Sequence, residues 1–148
     1  MADYLEYTLD KFTFKVATDC LYSPDGVWVR AEGGQITVGV SDFVGQRSGD
    51  VAFADVAPVG TAVVAGQELA NLETIKVDLE LPAPVSGLVT AVNEALEMEA
   101  EVVNLDPYGR GWLAIIEASD WPAERAGLLS PEAYLAQMER EALEDLGS

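Results

Sequence analysis

Short apolar segments, each closed off by glycine, proline or charged residues, recur along most of this chain and restrict it to a many-stranded architecture. Phe12, Phe14 and Val16 alternate with polar residues, as a half-buried strand does. Val27-Trp28-Val29 and Gln35-Ile36-Thr37-Val38 flank Glu32-Gly33-Gly34, which predicts a hairpin. Further strands are expected near Val51-Ala52-Phe53, Val63-Val64, Glu68–Leu72, Ile75–Leu81, Gly87–Val92 and Trp112–Glu117. Ser41 can cap a helical turn reaching Gln46. So many short strands indicate a barrel or a sandwich.

Beyond Ile116 the periodicity becomes helical. Pro122 suits a first turn after Ser119 or Asp120, and Gly127 suits its end. Ser130 then caps a second helix with Pro131 at its first position, and Leu135, Met138 and Ala142 fall on one face, with Tyr134 and Met138 as packing residues. The fold class is therefore mainly β with short helices, and C-terminal helices begin at about residue 119. A chain of 148 residues can bury one sizeable core, and nothing calls for a second domain.

Charge and missing residues exclude several functions. A formal net charge of −18 argues against nucleic acid and anionic membranes, which require concentrated Lys and Arg. Partners with basic docking faces suit it better. The single cysteine, Cys20, allows no internal disulfide and no metal cluster, and reads as a small buried residue. Since histidine is absent, neither Ser41 nor Ser86 can belong to a serine triad of the usual kind. Asn104–Trp112 holds Gly109 and Gly111 without the strand-to-helix setting of a nucleotide loop, so it reads as a turn. No apolar run is long enough to span a bilayer, and the acidic Met1–Asp10 is unlike a signal or transit peptide, so a cytoplasmic protein is expected. The polypeptide alone is expected not to be an enzyme.

Lys76 is the one lysine beyond residue 15, in the context Glu73-Thr74-Ile75-Lys76-Val77. Ile75, Val77, Leu79 and Leu81 alternate with Lys76, Asp78 and Glu80, which predicts a strand over 75–81 that turns Lys76 to water. An exposed lysine where two strands meet is accessible to an acylating enzyme. Asp78 and Glu80 read as solvated residues of the same face.

From Val38 to Trp112 the chain resembles the H protein of the glycine cleavage system, a relative of the lipoyl domains of 2-oxo acid dehydrogenases. The resemblance lies in five ordered blocks: Thr37–Phe43, Gly49–Phe53, Ala83–Gly87, Val92–Leu96 and Asn104–Trp112. Ser130–Tyr134 is also similar to the family's C-terminal helix. The resemblance implies a flattened hammerhead barrel (lipoyl, or barrel-sandwich hybrid), with residues 1–15 as an N-terminal extension and 16–148 as the lipoyl domain. Glycines 60, 66 and 87 beside valines echo the quasi-twofold form of that barrel.

In that family the lysine of a Glu-Ser-Val-Lys sequence carries lipoic acid in amide linkage, and Glu73-Thr74-Ile75-Lys76 resembles it with conservative replacements at two positions. Lys76 is thus the expected attachment site, with Glu73, Thr74, Ile75 and Val77 as its recognition context. The implied partners are a lipoate-attaching enzyme, a dihydrolipoamide dehydrogenase and pathway complexes, served by a monomeric carrier. Tethering raises the arm's local concentration at each docking site.

The family's His-Glu-Trp segment, placed near the cleft that shelters the aminomethylated arm, aligns with Gly26-Val27-Trp28. Losing those polar groups favours a related carrier, the lipoate-binding protein of the heterodisulfide-reductase-like pathway of sulfur oxidation. The alternative is glycine cleavage itself, with the carrier bearing the aminomethyl group. A biotin carrier would need Met-Lys-Met, whereas this chain has Ile75-Lys76-Val77. An unmodified binding module that kept the barrel is a further alternative.

Overall fold

A computed structural model describes residues 3–147. The chain opens with β1 (Tyr4–Leu9) and β2 (Phe12–Ala17), paired from Tyr4↔Ala17 to Leu9↔Phe12. Asp10 turns this hairpin with φ 58, in the left-handed region that Asp tolerates. There follow β3 (Leu21–Tyr22), β4 (Val27–Glu32), β5 (Gln35–Val40), α1 (Asp42–Ser48), β6 (Val51–Val56), β7 (Ala62–Val63), β8 (Glu68–Thr74) and β9 (Asp78–Pro82). The rest is β10 (Gly87–Val92), α2 (Ala95–Met98), α3 (Val102–Leu105), β11 (Ala114–Ala118), α4 (Trp121–Arg125) and α5 (Pro131–Gly147).

Apart from the first hairpin, the strands form two antiparallel sheets. One has the order β3-β4-β5-β11-β10-β7 and the other β6-β8-β9. Their facing sides enclose an aliphatic core in which Ile36, Val38, Val85, Leu113 and Ile116 are fully buried. A second core is aromatic. It gathers Phe14, Tyr22, Trp28, Phe43, Tyr108 and Tyr134 under the N-terminal hairpin and α5. Strand β4 serves both, because Val27 and Val29 belong to the first core and Trp28, pointing the other way, to the second.

The polar ends of these aromatics tie the outer elements down. Trp28 Nε1 donates to the carbonyl of Pro107 at 2.9 Å, Tyr22 to that of Ala17 at 2.8 Å, and Tyr108 to that of Lys15 at 2.8 Å. Tyr134 shares a 2.7 Å hydrogen bond with Ser41, whose oxygen also accepts from the Val44 N–H as the cap of α1. Ser130 caps α5 by accepting from the Ala133 N–H at 3.1 Å.

The β architecture, the hairpin around Gly33, both caps and the C-terminal helices follow the sequence. Three features differ. The strand expected over Ile75–Leu81 begins only at Asp78, and Ile75 and Val77 are exposed at 75% and 49%, so their apolar alternation reflects no buried face. Strands β1 and β3 and the two four-residue helices have no counterpart in the expectation. The expected boundary between residues 15 and 16 falls inside β2.

Candidate functional site

Lys76 stands in the tight turn between β8 and β9, and one hydroxyl organises that turn. The Thr74 side chain accepts from the N–H groups of Lys76 and Val77, at 3.2 and 3.0 Å, and donates to the Val77 carbonyl at 2.9 Å. The Thr74 N–H donates to the same carbonyl at 2.9 Å. Serine could make these bonds too, and either residue relieves the turn of backbone groups that would otherwise compete for water. Glu73 ends the paired strand opposite Asp78, so the Lys76 side chain projects from a closed and hydrogen-bonded tip.

The turn rests on the end of α1. The Ile75 N–H donates to the Asp50 carbonyl at 3.2 Å, and Gly49 caps the helix at φ 90 directly beneath Ile75. A Cβ on Gly49 would lie 3.2 Å from Ile75 Cγ1 and 3.7 Å from Lys76 Cγ, so glycine serves here for its conformation as well as its size. Asn104 holds this platform from below. Its amide nitrogen donates to the carbonyls of Gly45 and Gly49, at 3.2 and 2.9 Å, and its oxygen accepts from the Val51 N–H at 2.9 Å.

Beside the turn lies a cavity of about 260 Å³, with Lys76 on its margin. Phe14, Phe43 and Ala142, all nearly buried, form its base, and the exposed Phe12 and Leu146 form its rim. The Phe14 and Phe43 rings meet edge to face at 5.2 Å. Arg47 lies over Phe43 at 4.9 Å and pairs with Asp145 at 2.7 Å, fastening α1 to α5 across the cavity. An exposed primary amine next to a mostly apolar recess suits an acyl chain ending in a dithiolane.

Gly26 and Val27 do not border this cavity. Val27 is 1% exposed in the aliphatic core, and Gly26, at φ 85, sits where a side chain would run into Val44. Their departure from His-Glu therefore bears on the packing against α1 and α5 and not directly on the lining of this cavity. Cys20 is buried as expected, and burial pushes its thiol up to about 12. Ser86 donates to Glu124 at 2.7 Å and ties the residue before β10 to α4. Among the described residues no group of His, Cys, Asp and Glu could hold a metal ion, and no helix is long and apolar enough to cross a membrane.

A family model for the glycine cleavage H-protein matches residues 20–141. The chain belongs to the glycine cleavage H-protein family. It is 41% identical over 127 residues to the glycine cleavage system H protein of Rubrobacter xylanophilus, covering 86% of this chain and 98% of that one. The corresponding protein of Cronobacter sakazakii is 43% identical, with 85% of this chain and 98% of the relative covered. A crystal structure of a glycine cleavage system H protein from Mycobacterium marinum superposes with a TM-score of 0.72 at 29% identity, covering 81% of this chain and 96% of that one. H proteins are lipoyl carriers on which partner enzymes act, and are not themselves enzymes.

The residues matched by the family model include the Thr74–Val77 turn. They do not include the N-terminal hairpin, which precedes them. Asn104 and Gly49 escaped the sequence reading as parts of the site, although both lie in blocks that resemble the family. Gly49 is legible only as a helix stop, and the reach of the Asn104 amide to Gly45, Gly49 and Val51 is not visible in residue order.

Proposed function

We propose that this chain is the lipoyl carrier of a glycine cleavage system, with lipoic acid attached to Lys76. The observation that carries the reading is the Thr74-organised turn, which presents Lys76 exposed between two paired strands in a sequence context that resembles the family's with two conservative replacements. Attachment forms an amide between Lys76 Nζ and an activated lipoyl donor, with loss of a proton and of the donor's leaving group. When attached, the group supplies a disulfide able to accept a one-carbon amine fragment and electrons. The chain's own residues hold the turn rigid, keep the amine in solvent and place an apolar recess beside it.

Glycine cleavage is favoured over sulfur oxidation for two reasons. Gly26 and Val27, the residues that spoke for the sulfur pathway, are not among the residues that line the Lys76 cavity. The relatives named above, at about 40% identity over nearly their whole length, carry the glycine cleavage name. The partners that follow are a lipoate-attaching enzyme, a dihydrolipoamide dehydrogenase and the other glycine cleavage enzymes. A heterodisulfide-reductase-like complex is set aside.

The test begins with intact mass after co-production with a lipoate-attaching enzyme. One lipoyl addition mapped to Lys76, and none in Lys76→Arg, is expected. A biotinyl addition or an unmodified chain would overturn the cofactor. The lipoylated protein should then support glycine–bicarbonate exchange with standard partner enzymes at the rate of an ordinary H protein. Modified protein that fails in exchange, yet is turned over with reduced sulfur compounds by a heterodisulfide-reductase-like complex, would return the sulfur pathway to first place.

A further inference from the structure

The N-terminal hairpin precedes the residues that the family model matches, and its two edges are finished differently. Leu9 and Phe12 close a two-residue turn, so Leu5, Tyr7 and Leu9 exchange hydrogen bonds with β2, and the backbone groups of Tyr4, Glu6 and Thr8 point away from it. On β2 the corresponding outward groups are sealed by side chains. Gln46 donates to the Thr13 carbonyl, the Lys15 N–H to Asp42, Tyr108 to the Lys15 carbonyl and Tyr22 to that of Ala17, at 3.0, 2.9, 2.8 and 2.8 Å. On β1 the outward N–H and carbonyl groups of Tyr4, Glu6 and Thr8 find no partner among the described residues. Burial falls off in the same direction: Phe14 and Val16 are buried on β2, whereas Leu5, Tyr7 and Leu9 opposite them are only half-buried. An open backbone edge beside half-buried apolar side chains is a place for one more strand.

We infer that this edge is an interface with a second copy of the chain: the two β1 strands pair antiparallel around a two-fold axis at Tyr7 and join the hairpins into one four-stranded sheet. The strand's own register selects that occupant. Of the pairings that bring outward groups opposite one another, two overlap five residues of β1. The one centred on Glu6 sets that carboxylate against its own copy, which is unfavourable. The one centred on Tyr7 places Glu6 opposite the partner's Thr8, Leu5 opposite the partner's Leu9 and Tyr7 opposite the partner's Tyr7, so apolar side chains meet on one face and no like charges meet on the other. Charge selects the same region. Within the hairpin Asp3, Glu6 and Asp10 stand against Lys11 and Lys15, a net −1 in a chain of −18, and Glu6 already lies across from Lys15. Here two strongly acidic molecules approach with the least repulsion. Because Leu9 lines the recess beside Lys76, the partner's Leu5 comes to rest at the rim of that recess. One strand pair is a small contact, so the monomer is the form at low concentration and the dimer fills by mass action.

The test uses the whole chain in sedimentation velocity at up to about 1 mM protein, in dilute buffer and in roughly 0.5 M NaCl, where acidic molecules no longer repel at a distance. A dimer that grows with concentration and with salt is expected. Amide exchange should slow with it at Glu6 and Thr8, whose N–H groups are open in the monomer, while Leu5, Tyr7 and Leu9 stay protected throughout. Glu6→Pro removes one outward N–H and spares the bonds to β2, as an edge strand allows, so it should return the chain to the monomer. Two side-chain variants read the register without touching the backbone. Thr8→Lys, facing the partner's Glu6, should tighten the dimer and Thr8→Glu should weaken it, each about threefold or more because the two-fold axis makes the contact twice. Thr13→Lys makes the same charge change one strand further from the axis and should do less. A parent that stays monomeric at every concentration and salt would overturn the interface, and so would a dimer indifferent to Glu6→Pro and to either charge at residue 8. Equal effects of lysine at residues 8 and 13 would overturn the pairing centred on Tyr7.

Discussion

The two cores of this protein are built on different principles. The core between the sheets consists of Val, Ile, Leu and Ala, which pack without directional demands and set only the spacing of the sheets. The second is mostly aromatic, and Tyr22, Trp28, Tyr108 and Tyr134 each end in a group with a specific polar partner. Tyr22 and Tyr134 stack at 4.5 Å and 6°, joining β3 to α5. The aliphatic core makes a barrel, whereas the aromatic core fixes where the hairpin, α1 and α5 sit upon it. The surroundings of Lys76 depend on the second.

The largest effect should come from Trp28→Ala, which empties the centre of the aromatic core and should cost about 3–5 kcal/mol. It should also release the N-terminal hairpin to proteolysis before the barrel unfolds. Limited proteolysis read by mass would show this as early cleavage before residue 20, and simultaneous loss of all regions would show that the two cores are one cooperative unit. Val38→Ala, in the aliphatic core, should cost about 2 kcal/mol for the lost methyls and the cavity left behind. Urea denaturation should report that loss with no early hairpin cleavage.

Tyr134→Phe removes one buried hydroxyl and should cost about 1 kcal/mol. Its effect should fall on α1 and α5, seen as faster amide exchange at Val44 and at the first turn of α5. Lys76→Arg should change stability by at most about 0.5 kcal/mol, as for a surface substitution away from any packed feature. Lipoylation should nevertheless disappear completely.

The smallest effect concerns pH. Burial raises the Asp42 carboxyl above its ordinary 3.8, and the hydrogen bonds from the Lys15 N–H and from Gln46 offset this only in part. The folded protein thus holds this proton more tightly than the unfolded chain. At this site stability is greatest below 3.8 and declines as pH rises through the raised value. Asp42→Asn lacks that decline, so its denaturation midpoint should gain on the parent between strongly acidic and neutral pH. A parent that gains on the variant over the same range would show that the hydrogen bonds to the carboxylate outweigh its burial.

Much of this arrangement was legible from residue order. Ser41 and Ser130 announced their helices because capping is local chemistry, and Lys76 stood out by being alone. What escaped depends on contacts across the chain. Strand β1 never buries a residue fully, so its sequence shows only weak alternation, and it exists because Tyr4–Leu9 finds β2. Ile75 and Val77 imitated the period of a strand in what proved to be a turn, because nothing in residue order distinguishes an apolar side chain resting on Gly49 from one inside a core. Gly26 and Val27 present the opposite case: residue order gives their neighbours in sequence, while their neighbours in space are Val44 and Val40. The recess beside Lys76 draws on both ends of the chain, and no window of sequence contains it.

Asn104 joins residues that are far apart in synthesis. Its three hydrogen bonds reach back 53 to 59 positions to Gly45, Gly49 and Val51, and those residues carry the turn on which Lys76 stands. A ribosome that has released residues as far as Leu81 has already exposed Glu73-Thr74-Ile75-Lys76, with the amide that braces their platform still to be made. The tetrapeptide exists early and its shape exists late. An attaching enzyme that grips the shape will therefore modify finished molecules and pass over nascent ones.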